Sequence, residues 1–69
     1  MPSDFQRAQR IFAVHAPGSR CELTNDGLRI RAFTRGEPSV SVVFWAWSDN
    51  DDMRAQARAL VGDPTAKPV

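Results

Sequence analysis

The stretch SRCELTNDGLRIRAFTRGEPSVSVVFWAW (residues 19–47) decides how this chain folds. It holds three runs in which side chains alternate, separated by turn signals, the pattern of short β-strands. In Ser19 to Thr24, Cys21 and Leu23 share one side, while Arg20, Glu22 and Thr24 share the other. In Leu28 to Arg35, Leu28, Ile30 and Ala32 oppose Arg29, Arg31, Phe33 and Arg35. In Ser39 to Trp47, Val42, Phe44 and Ala46 oppose Val43, Trp45 and Trp47. Asn25-Asp26-Gly27 separates the first two runs, and Asp-Gly accepts the positive φ of a tight hairpin. Gly36-Glu37-Pro38 forms a short loop before the third.

The pairing can be worked out from the turns. A two-residue Asp26-Gly27 turn sets Asn25 opposite Leu28, so Leu23 meets Ile30, Glu22 meets Arg31 and Cys21 meets Ala32. The second loop sets Arg35 near Ser39, so Arg29 meets Trp45, Ile30 meets Phe44 and Ala32 meets Val42. Both hairpins keep apolar opposite apolar, which is what register must satisfy when one face is buried. The middle of the chain is therefore expected to be a three-stranded antiparallel meander.

Helical patterns flank it. Ser3 and Gln6 have capping-box spacing. Phe5, Ala8, Ile11 and Phe12 then fall on one helical face, until Ala16-Pro17-Gly18 stops the helix near Val14 or His15. After the third strand, Ser48 or Asn50 is expected to cap a second helix. Asp49, Asp51 and Asp52 sit in its first turn, where the helix dipole favours negative charge. Met53, Ala57, Leu60 and Val61 form its apolar face, and Gly62 with Pro64 ends it.

The expected fold is α+β: a single small two-layer domain in α-β-β-β-α order, with both helices on one face of the sheet. Residues 1–62 form the domain, and 63–69 form a disordered tail. The expected core is Phe5, Ile11, Phe12, Cys21, Leu23, Leu28, Ile30, Val40, Val42, Phe44, Met53, Leu60 and Val61. The opposite face is left open, carrying Arg20, Glu22, Thr24, Arg29, Arg31, Phe33, Val43, Trp45 and Trp47.

Sixty-nine residues leave room for one domain, near the lower size limit of independent stability. Cys21 is the only cysteine and His15 the only histidine, so neither an internal disulfide nor a closed zinc site is expected. No apolar run is long enough to span a membrane, and the N-terminal segment lacks a secretory apolar core. A cytoplasmic protein is the expectation. Net charge is +1, yet residues 1–36 carry +3 and residues 37–69 carry −2. Eight of the nine basic residues are Arg, which stacks on aromatics and forks onto carboxylates or phosphates.

Candidate chemistry is sparse. Asp49-Asn50-Asp51-Asp52 lacks the further ligands and glycine of a calcium loop, and helix-start chemistry accounts for it. Cys21 is expected inward, away from any nucleophilic role with His15. There is no glycine-rich phosphate loop, and a short chain has little volume for a substrate pocket. No catalytic, metal or cofactor site and no small-molecule substrate is expected.

The open face is the candidate site: Arg29, Arg31, Phe33, Arg35, Val43, Trp45 and Trp47. Contiguous exposed apolar surface marks interaction sites, and Trp and Arg are enriched at binding hot spots. The competing reading is internal, with Arg29 stacked on Trp45 and Glu22 paired with Arg31. The sequence thus points to a non-catalytic binding protein that docks on a protein partner, either a copy of itself in a homodimer or a larger complex. Small phage proteins that inhibit or regulate a host complex have this general character.

The alternative is a nucleic-acid-binding module for DNA or RNA using the same face, since aromatics on a sheet stack bases. The α-β-β-β-α order resembles that of double-stranded-RNA-binding domains. Those domains open the last helix with a lysine-rich segment, where this chain has Asp49-Asn50-Asp51-Asp52. WSDNDDMRAQARAL (residues 47–60) is also similar to the end of plant AP2-type DNA-binding domains. No residue role is carried over from either family.

Overall fold

The computed structural model describes residues 3–36 and 40–62. The elements follow the expected order: α1 (Asp4–His15), β1 (Ser19–Leu23), β2 (Arg29–Thr34), β3 (Ser41–Trp45) and α2 (Asn50–Leu60). The strands form one antiparallel sheet in the order β1-β2-β3. The disordered tail expected at 63–69 and most of the loop expected at 36–38 lie outside the described residues.

Local chemistry explains the helix boundaries. The Ser3 hydroxyl accepts from the Gln6 N–H, and the Gln6 side chain accepts from the Ser3 N–H, each at 3.1 Å. This is the reciprocal capping box read from the sequence. After α1, the Ser19 N–H donates to the Ala16 carbonyl at 3.1 Å, and Gly18 sits at φ 84°. Pro17 followed by a left-handed glycine is the composition of a type II turn. The cap of α2 is neither Ser48 nor Asn50. It is Asp49, whose carboxylate accepts from the Asp52 N–H at 2.8 Å.

The register is the one deduced from alternation. Leu23 pairs with Ile30, Cys21 with Ala32 and Glu22 with Arg31. Arg29 pairs with Trp45, Ile30 with Phe44 and Ala32 with Val42. The first turn differs from the expected two-residue form. The Gly27 N–H donates to the Thr24 carbonyl at 2.9 Å, and among the described non-glycine residues none has positive φ. A primed two-residue turn needs positive φ at a central residue before or beside the glycine. Here the Asp26 carboxylate accepts from the Leu28 N–H at 3.0 Å and closes a longer loop without moving the register.

One core cluster joins both helices to one side of the sheet. Ala8, Phe12 and Ala16 from the first helical segment and Met53, Ala57 and Leu60 from α2 meet Ile30, Ala32, Phe44 and Ala46. Phe12 and Phe44 stack with ring centroids 5.4 Å apart. Burying each large side chain contributes about 1.5–3 kcal/mol relative to exposure. The two helices also pack against each other, and Ala8 of α1 and Ala57 of α2 are fully buried.

Four expected core residues are exposed: Leu23, Leu28, Val40 and Val61. Parity directs Leu23, Leu28 and Val40 toward the helices and helical spacing sets Val61 on the apolar face of α2, but all four lie at or beyond element ends, where no facing element covers them. Leu23 and Leu28 flank the first turn. Val40 and Val61 line a concavity at the other end, with Thr34, Gly36 and Leu60. Phe5, Ile11, Cys21 and Val42 are partly buried against the core rather than central to it. Their central places go to the alanines.

Candidate interaction surface

The sheet face away from the core is open. Reading across the strands, Glu22, Arg31 and Val43 form one row, and Arg20, Phe33 and Ser41 form the next. At one end, Arg29 lies opposite Trp45. Trp45 is 50% exposed and Trp47 is 57% exposed.

Trp47 was expected within the third strand. The strand ends at Trp45, because the Trp45 carbonyl turns to accept from the Ser48 N–H at 3.0 Å. This turn folds Trp47 back onto Trp45, and the two rings stack with centroids 5.0 Å apart and planes 17° from parallel. The Arg29 guanidinium lies over the Trp45 ring, 5.7 Å from its centroid.

A hydrogen-bond chain sets Arg29 in that position. The Thr24 hydroxyl donates to Asp26 Oδ1 at 2.5 Å and accepts from the Arg29 N–H at 3.2 Å. Asp26 Oδ2 accepts from the Arg29 guanidinium at 2.9 Å. The Thr24 hydroxyl, then the Leu28 N–H and the Arg29 side chain, hold the Asp26 carboxyl down at about 2, since donors to a carboxylate favour its charged form. The turn thus fixes an arginine, the arginine covers a tryptophan, and that tryptophan stacks on the second.

In the middle row, Arg31 lies 3.7 Å from Glu22 and its guanidinium sits 4.6 Å from the Phe33 ring centroid. The internal contacts foreseen for Arg29 and Arg31 are therefore made, and the face stays open beneath them. Arg35 lies apart from the tryptophans. It follows β2 at the opposite end and lines a concavity with Gln9, Ser19, Arg20 and Cys21. Burial raises the Cys21 thiol to about 11, which keeps it in the unreactive protonated form at neutral pH.

Beside the outer edge of β3 runs a groove of about 430 Å³, lined by Arg29, Val43, Trp45, Asp52 and Gln56 among others. Sequence reasoning missed a further organising residue, Arg7. Its guanidinium donates to the Ser48 carbonyl at 2.7 Å, to Asn50 Oδ1 at 2.8 Å and to Asp4 at 2.9 Å. Helical periodicity placed Arg7 off the apolar face, and nothing local marked its distant partners.

Among the described residues, no group of three or more His, Cys, Asp or Glu side chains is placed to hold a metal ion. No described helix is long and apolar enough to cross a membrane. No family model matches the chain, and no curated protein or solved structure matches it.

Proposed function

We propose that this chain is a small non-catalytic, cytoplasmic binding protein that docks on a protein partner through its open sheet face. The partner is a second copy or a larger complex, which the chain inhibits or regulates by occupying a surface. The observation that carries this reading is the Trp45–Trp47 stack, half exposed and held beneath Arg29. Aromatic anchors already fixed in place lose little freedom on binding, which favours affinity. Phe33 and Val43 add apolar area, and Arg29 and Arg31 supply orientation.

Nucleic acid is the less favoured ligand. Arg29 already pairs with Asp26, and Arg31 lies beside Glu22, so much of the positive charge on the face is balanced within the chain. Binding to phosphates draws on unbalanced positive charge and weakens steeply with salt.

The two tryptophans are a direct probe. The free protein is expected to emit as partly solvated Trp, and emission should stay unchanged when short duplex DNA or RNA is titrated at low and moderate salt. Quenching that disappears as salt rises would overturn the protein-docking reading in favour of nucleic acid. Emission as blue as that of buried Trp would mean the face is already covered.

A further inference from the structure

We propose that β3 is the subunit boundary of a symmetric homodimer, in which two copies pair their β3 strands antiparallel about Val43. This concerns the sheet edge and does not rest on the open-face reading above.

The two edges of the sheet are unlike. The edge strand β1, SRCEL, carries Arg20 and Glu22, and charges of this kind keep edges from pairing with other chains. The opposite edge strand β3, SVVFW, has no charge and no proline. It is rich in β-branched and aromatic residues, the composition that pairs most readily.

Backbone parity makes this edge self-complementary. The Ala46 N–H donates to the Leu28 carbonyl at 2.9 Å, and the Thr34 N–H donates to the Val40 carbonyl at 3.3 Å. Even-numbered residues along β3 therefore direct their backbone groups to β2, and Val43 directs its own outward. An axis at Val43 sets Val43 against the partner's Val43 and Ser41 against the partner's Trp45. The outcome joins two sheets of three strands into one of six. The open faces of both copies then lie on the same side, with all the tryptophans on one surface.

The helix layer fits the same axis. α2 packs over both β3 and β2. Paired strands lie about 4.8 Å apart, so the two α2 helices come near the ordinary packing distance of about 8–10 Å. Gln56 lines the edge groove alongside Val43 and so falls close to the axis, where its neutral amide can meet its own copy. The helices run antiparallel. Asp52 stands with Gln56 on the groove side of α2, so this flank of the helix is the one that meets the partner's. A second copy thus matches this edge in backbone and helix spacing together.

The test is mass against concentration by sedimentation equilibrium, from micromolar to millimolar. The wild-type mass should rise from 7.7 kDa toward twice that value, with the thermal midpoint rising alongside. Val43→Pro removes only an outward N–H, a change that edge strands tolerate. It should stay monomeric with an unchanged far-UV spectrum, while Phe33→Ser on the open face should still dimerise. A wild-type mass that remains at 7.7 kDa, or a Val43→Pro variant that dimerises, overturns the proposal. If Phe33→Ser alone disperses the dimer, the open face joins the copies and the edge does not. Should Val43→Pro fail to fold, amide exchange at Val43 in the wild type decides. Exchange that slows with concentration supports the interface, and exchange independent of concentration overturns it.

Discussion

Asp26 illustrates how much one side chain can arrange in a small domain. Its carboxylate closes the first turn, accepts from Thr24 and Leu28, and holds Arg29 over Trp45. The folded carboxyl titrates at about 2 against an ordinary 3.8. A depressed value means the stability it contributes is fully present above 3.8 and is lost as pH falls toward about 2. Trp emission should therefore change in that acid window as Arg29 is released. Asp26→Asn should show the released emission already at neutral pH and lose the transition. A variant with the wild-type titration curve would show that Asp26 does not position Arg29.

At the scale of elements, the joint between α1 and α2 depends on Arg7. Capping boxes and cap carboxylates act within one helix, whereas Arg7 reaches from α1 to the Ser48 carbonyl and Asn50 at the start of α2. Hydrogen bonds from a charged donor contribute more than neutral ones, so Arg7→Ala should cost about 1–3 kcal/mol. In a domain of this size each kcal/mol lowers the thermal midpoint by about 4–8 °C. Arg7→Lys should recover only part of the loss, because a single ammonium cannot reproduce a planar fork. Urea melts should show a lower midpoint with an unchanged slope. Equal stability of Arg7→Ala and wild type would remove Arg7 from this role.

At the scale of the whole molecule, one stacked pair spans the two layers. Phe12 of α1 lies on Phe44 of β3, and both are buried. Ile30, Met53, Leu60 and five alanines share that core, and a packed core closes only partly around a lost ring. Phe12→Ala should cost about 3–5 kcal/mol. Total stabilities of folded domains run about 5–15 kcal/mol, and small domains sit near the lower end. The variant should lose most of its cooperative thermal transition, as followed by circular dichroism. A midpoint within a few degrees of wild type would show that the core can close around the gap. The molecule thus separates an aromatic pair that holds it together from an aromatic pair turned outward.

Strand order, strand register and the sidedness of the sheet could all be read from residues 19–47. They depend on alternation and turn composition, which are local in sequence and must agree with each other. Residue parity likewise placed Arg29, Arg31, Phe33, Val43 and Trp45 together on the uncovered side. Periodicity could not show that Leu23, Leu28, Val40 and Val61 escape burial, because that depends on where facing elements end in space. It could not choose Asp49 as the cap of α2, since neighbouring residues offer similar side chains. Nor could it fold Trp47 back onto Trp45, which takes a turn closed by Ser48, or find Arg7 across the layers. The sequence by itself determined the pairing of the strands, because each pairing is enforced by the next residue but one. Only the tertiary structure decided which side chains are covered and how Trp47 turns back onto Trp45, because burial and the path of a turn depend on where elements end in space and not on alternation.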